Sequence, residues 1–183
     1  MTLSPRVAAI TAITFTALVV TGCAVPLSVG SYQERGVDLS RYHTYAWGRT
    51  GDQPTGDPRL DGNEIFHDRV RAEAERWLRR RGFLKVTANP DATVRYRVAV
   101  ADDIEDPTID RLSGYCPQDD CAAYLFQSGT LVFELADPQT NRTLWRGWAT
   151  RTVDGLVNDQ NRLEEMIGDV VARVFERLPA RKT

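Results

Sequence analysis

The sequence predicts an α+β domain: a mostly antiparallel β-sheet with two helices packed on one face. Three patterns predict it. Residues 64–81 and 158–178 repeat apolar side chains at helical spacing. Residues 91–100, 130–136 and 142–152 instead alternate inward and outward residues as half-buried strands do. The order is strand, helix, strands, hairpin, helix, which differs from the regular βαβ alternation of a parallel sheet.

An export signal precedes the domain. Residues 1–6 carry one basic side chain, Arg6, and residues 7–20 (VAAITAITFTALVV) carry no charge. A membrane-crossing helix needs roughly 20 apolar residues; this shorter run fits the apolar region of a signal peptide. Val20-Thr21-Gly22-Cys23 follows, an apolar residue and two small ones before a cysteine. That is the lipoprotein signal pattern, and it predicts cleavage before Cys23 and acylation of its thiol. The alternative is an ordinary secretory signal beside a chance cysteine. Loss of residues 1–22 leaves 161 residues, enough for one domain with its own core. Because only Arg6 is lost among charged residues, 22 Lys and Arg then face 25 Asp and Glu, a net charge of −3. Such a balance offers no electrostatic basis for nucleic-acid binding.

Residues 24–38 hold Pro26, Gly30 and Gly36 among serines without a clear period, and are expected to be a flexible tether reaching about 50 Å when extended. Residues 39–47 (LSRYHTYAW) read as the first strand, and 48–62 as a polar, mobile loop. In helix 64–81, Phe66, Val70, Ala74, Trp77 and Leu78 share one face. Asp61 and Glu64 are placed for a capping box, and Glu75 and Arg79 for an i,i+4 pair. Arg79, Arg80 and Arg81 suit the negative end of the helix dipole better than an anionic partner, and Gly82 ends the helix. A short strand is expected at 83–86. In strand 91–100 Ala92, Val94, Tyr96, Val98 and Val100 point one way and Thr93, Arg95 and Arg97 the other. Residues 102–127 are expected to be an irregular insertion. Strand 130–136 turns inward Leu131, Phe133 and Leu135, and the turn 137–141 leads to the returning strand 142–152. The last helix has the most regular stripe, Leu163, Met166, Ile167, Val170, Val171, Val174, Phe175 and Leu178, before Pro179. It is expected to close the core from 158 to 178, with the domain spanning 39–179 and a tail at 180–183.

The stretches Tyr42–Trp47 (YHTYAW), Leu78–Phe83 (LRRRGF), Pro90-Asp91-Ala92, Asp137–Thr140 (DPQT) and Leu144–Ala149 (LWRGWA), with a closing helix that runs into Leu178-Pro179, occur in this order over nearly the whole mature chain. In this the chain resembles the bacterial lipoproteins classed as domain of unknown function 4136. The resemblance implies a small envelope lipoprotein with an α+β fold and implies no reaction. The insertion at 102–127 is not part of it.

The chemistry-bearing residues are few. Cys116 and Cys121 form a close pair, read as a disulfide in an oxidising compartment; a zinc or redox role would be the alternative. His43 and His67 are the only histidines, and no phosphate loop, zinc-protease or nucleophile-elbow motif occurs. Asp102, Asp103, Glu105, Asp106 and Asp110 lack the spacing of a calcium loop. No cofactor and no metal are therefore expected. Trp145 and Trp148 have opposite strand parity. One of them is expected beneath the helices and the other on the bare sheet face with Arg95 or Arg97, as a binding platform or as simple cover for a wet sheet. The expected function is a non-enzymatic binding or assembly module, anchored by lipid at the periplasmic face of the outer membrane and meeting an envelope protein or glycan. Ala24 replaces the aspartate that would argue for inner-membrane retention. The rival is a periplasm-facing hydrolytic enzyme acting on envelope material.

Two outcomes follow for the cysteines. Cys23→Ala should abolish both incorporation of labelled fatty acid and signal processing; retained label sinks the assignment. Thiol labelling of protein recovered from the cell envelope should find Cys116 and Cys121 blocked before reduction and reactive after it.

Overall fold

The computed structural model describes residues 27–48, 55–105 and 124–179. Six strands form one sheet: β1 (Leu27–Gln33), β2 (Thr44–Trp47), β3 (Leu84–Lys85), β4 (Ala92–Glu105), β5 (Tyr124–Ala136) and β6 (Thr143–Thr152). Their spatial order is β1-β6-β5-β4-β2-β3. The β1–β6, β6–β5 and β5–β4 pairs are antiparallel, whereas β2 lies parallel to both β4 and β3, so the sheet is mixed but mostly antiparallel. Among the described residues two long helices accompany it, α1 (Glu64–Arg80) and α2 (Gln160–Glu176).

The strand register sorts side chains by alternation. Val94 faces Leu135, Tyr96 faces Phe133 and Val98 faces Leu131 across β4–β5. Trp145, Gly147 and Ala149 of β6 continue these rows. The helices cover this face: the ring of Phe175 in α2 lies 4.9 Å from that of Phe133, and His67 Nδ1 in α1 lies 2.8 Å from the Tyr96 hydroxyl. Val70, Ala74 and Leu78 of α1 and Val171, Val174 and Phe175 of α2 are fully buried, each large one contributing about 1.5–3 kcal/mol. Close approach to β6 requires Gly147. A Cβ there would stand 2.4 Å from the Trp145 ring and 2.8 Å from Val174 Cγ1.

The two helix ends meet. Arg81, just past α1, donates from Nη2 to the carbonyls of Phe175 (3.0 Å) and Glu176 (3.1 Å), satisfying the last turn of α2. The expected dipole partner of α1 is thus a cap for its neighbour, while Arg80 lies over Trp77 at 5.0 Å.

Several expectations are corrected. The tether at 23–38 contains β1, whose seven residues pair with β6 from Leu27↔Arg151 to Gln33↔Trp145. A strand therefore precedes the expected strand-helix-strands-hairpin-helix order. The first expected strand, 39–47, is a single 3₁₀ turn at Leu39–Arg41 followed by β2. The helix cap is Asn63, whose Oδ1 accepts from Phe66 N at 3.0 Å; Asp61 instead accepts from Thr55 N. Glu75 bonds Trp47 Nε1 at 2.7 Å and Lys85 Nζ at 2.5 Å in place of the expected Arg79 pair. In the loop expected to be mobile, Thr55 and Asp57 are buried and the Thr55 carbonyl accepts from Val100 N at 2.6 Å. The supposed insertion at 102–127 is regular at both ends, because β4 runs on to Glu105 and β5 starts at Tyr124. Its acidic residues Asp102, Asp103 and Glu105 thus lie in a strand.

Val174 lies at the centre of the helix contact. Val174→Asp places an unpartnered carboxylate there, at a cost of several kcal/mol out of the roughly 5–15 that holds a domain together. Thermal melts should show it unfolded, whereas Arg173→Ala, on the exposed face, should shift stability by no more than about 0.5 kcal/mol. A Val174→Asp variant as stable as the parent would mean that this stripe is not core.

Candidate functional site

The sheet face away from the helices is built from the other parity of the same strands. β4 contributes Thr93, Arg95 and Arg97, β5 contributes Thr130, Val132 and Glu134, and β6 contributes Arg146, Trp148 and Thr150. Two cross-strand rows organise it. One runs Gly30–Trp148–Val132–Arg97 and the next Tyr32–Arg146–Glu134–Arg95. Of the two tryptophans of opposite parity it is Trp148 that shares this face with Arg95 and Arg97, with Val132 between Trp148 and Arg97. Trp145 lies on the opposite face, fully buried.

The centre of the face is Glu134, only 7% exposed. Arg146 Nε donates to its Oε1 at 2.7 Å, and Arg146 Nη2 forms a close ion pair with the same oxygen. Arg97 Nη2 stands 3.9 Å from Oε1, and Arg95 Nε 4.0 Å from Oε2. Arg95 also donates to Asn141 Oδ1 at 2.9 Å from the β5–β6 turn. Three guanidinium groups converge on this one carboxylate, and about half of the Arg97 and Arg146 side-chain surface is open to solvent. One carboxylate holds the arginines side by side, which free repulsion would otherwise splay apart.

Beside this cluster the Trp148 ring lies over Gly30 of β1, and the glycine beneath it is a steric requirement. A Cβ at Gly30 would stand 2.3 Å from the Trp148 ring. Thr130 and Thr150 share a 2.9 Å hydroxyl hydrogen bond along the next row. The result is a planar ring, paired hydroxyls and exposed guanidinium groups on one shallow surface. Parity alone missed Glu134 and Arg146. Their signal was the hairpin itself, which places opposite charges across from each other at these positions.

Among the described residues, two hollows lie elsewhere. One, of about 50 Å³, opens at the end where both helices begin and is apolar, lined by Leu60, Phe66, Val100, Val153, Leu163 and Met166 among others. The second, a groove of about 530 Å³ at the other end, is polar, with Asp38, Arg41, Tyr42, Asp137 and Arg142 on its walls. Hydrogen bonds from the backbone and side chain of Thr140, and from Gln139 N, hold the Asp137 carboxyl below the usual carboxylate range. Arg142 pairs with Glu34 at 3.4 Å. A carboxylate kept ionised by turn N–H groups is poorly matched to proton transfer at neutral pH. Burial raises the hydroxyls of Tyr45, to about 12, and of Tyr96; both belong to the core wall. Cys23, Cys116 and Cys121 lie outside the described residues.

The model of the family described as "Domain of unknown function (DUF4136)" matches residues 29–180. No curated protein matches the chain. Among solved structures, a PDZ domain protein from Parabacteroides distasonis aligns with a TM-score of 0.55 at 14% identity over 87% of this chain. The chain spans only 36% of that structure's length. The PelC dodecamer from Paraburkholderia phytofirmans aligns at a TM-score of 0.50 and 19% identity, over 86% of this chain and all of the other. A DUF4136 family protein from Bacteroides thetaiotaomicron aligns at 0.46 and 9% identity, over 80% of this chain and 94% of the other. At these identities the likeness to the first two is one of fold.

Proposed function

We propose, on the premise that this chain belongs to the DUF4136 family, that it is a cell-envelope lipoprotein whose sheet face opposite α1 and α2 binds an anionic partner without chemical turnover. The observation that carries this is the trio Arg95, Arg97 and Arg146 around Glu134, beside the flat ring of Trp148. Guanidinium groups match carboxylate, sulfate and phosphate groups in geometry as well as charge, and a half-buried indole suits a sugar ring or an apolar side chain. An acidic glycan or an acidic segment of an envelope protein supplies both. The signal pattern ending at Cys23 supports a lipid anchor with at least two acyl chains, since one chain binds only marginally. Ala24 supports the outer membrane as its site. Covalent geometry limits the distance from Cys23 to Leu27 in β1 to about 14 Å, so the face operates close to the lipid surface. The engaged carboxylates of the polar groove favour binding over hydrolysis.

Affinity electrophoresis tests the face with defined polymers. Polygalacturonate should retard the protein and neutral dextran should not, with the effect weakening as salt rises. Arg97→Glu and Trp148→Ala should each weaken retardation about tenfold, equivalent to 1.4 kcal/mol, while Arg173→Ala leaves it unchanged. Equal retardation of Arg97→Glu and the parent would remove the arginine face as the binding surface.

A further inference from the structure

The two edges of the sheet are guarded unequally. Edge strands expose unpaired backbone groups, and folded proteins protect them with short strands, lysine or proline. β3 follows that rule, being two residues long and carrying Lys85. β1 does not: its seven residues, LSVGSYQ, include no charge and no proline, and among the described residues no strand lies beyond it.

The phase of β1 specifies what fits there. Glu34 N donates to Leu144 O at 3.1 Å, and the N–H and C=O of one residue in an antiparallel ladder point the same way, alternating along the strand. Tyr32, Gly30 and Ser28 therefore bond to β6, and Leu27, Val29, Ser31 and Gln33 direct their backbone groups to the open edge. An antiparallel copy of the strand must set outward residues against outward residues. A two-fold centred between residues fails, because it pairs outward with inward ones. Centres at Ser28 or Tyr32 leave most of the strand overhanging. A centre at Gly30 alone matches the whole strand, setting Val29 opposite Ser31 and Leu27 opposite Gln33 of the second copy.

We propose that β1 is a homotypic interface, pairing antiparallel with β1 of a second copy of this chain about a two-fold axis at Gly30 and joining two six-stranded sheets into one. The side chains agree with the backbone. Leu27, Val29, Ser31 and Gln33 of both copies fall on the helix side of the joint sheet, and no charged residue opposes another within the paired strands. On the opposite side, the Trp148 indole already reaches across Gly30 towards the edge. The pairing brings the two indoles side by side and makes the two arginine clusters one surface.

Sedimentation equilibrium of the detergent-purified full chain, with hydrogen exchange on the same sample, tests this. The parent should be dimeric, and Ser31→Pro and Ser31→Lys should be monomeric yet still melt cooperatively, since Ser31 is exposed and its N–H does not bond β6. In the dimer the amides of Val29, Ser31 and Gln33 should exchange as slowly as those of Ser28, Gly30 and Tyr32; in the variants only the second set stays slow. A monomeric parent overturns the proposal. So does a dimer that persists in both variants, or one in which the amides of Val29 and Gln33 exchange fast.

Discussion

The contact on which the rest of the structure depends is the seating of α2 against β5 and β6. A file of rings runs through the core from Tyr96 to Phe133 to Phe175 to Trp145, with centroids 4.9–6.0 Å apart. Val174 fits beside it over the bare backbone of Gly147. Among the described residues the buried Trp145 Nε1 has no hydrogen-bond partner, an omission of the kind that costs about 1–3 kcal/mol. The apolar gain of the surrounding rings exceeds that penalty. With all the apolar rows committed to one side, the other side of the same strands is free to be polar, and there the arginines gather.

The stretches that carry the family resemblance coincide with joints of the fold. In Tyr42–Trp47 and Pro90–Ala92, Asp91 accepts from His43 N and Thr44 N, both at 2.8 Å, and locks β2 to the start of β4; these bonds hold its carboxyl below the usual range. Burial works against ionisation of Glu75, but Lys85 and Trp47 outweigh it and lower the carboxyl, tying α1 to the sheet edge. In Leu78–Phe83, Arg81 caps α2. Asp137 accepts from Gln139 N and Thr140 N and shapes the β5–β6 turn. Leu144–Ala149 holds both tryptophans, one for each face. Each of these stretches fixes a joint of the fold.

Legibility in the sequence tracked how local each determinant is. Both long helices and the alternation of β4, β5 and β6 were readable, because a helix stripe or a strand period declares itself within a dozen residues. β1 was not. Its serines and glycine resemble a linker, and the reason for Gly30 is a tryptophan 118 positions away in the chain, whose ring lies on it. The cap of α1 was misplaced by two residues because Asp61 serves Thr55, a loop contact without a sequence signature. Parity put Arg95 and Arg97 on one face, but the buried carboxylate that organises them became visible only with the register of three strands.

The placement of β1 also orders events in time. Its partner is β6, so Leu27 must wait for Arg151, nearly the full length of the domain away. Loop-closure entropy makes such distant pairings late, and a chain emerging from its N-terminus exposes β1 first and β6 almost last. The segment nearest the proposed attachment point is therefore the last to find its place. Until it does, β6 is the sheet's edge and the Trp148 ring lacks the glycine on which it rests. The arginine cluster needs only β4, β5 and β6, but the Trp148 ring gains its seat only when this long-range pairing closes.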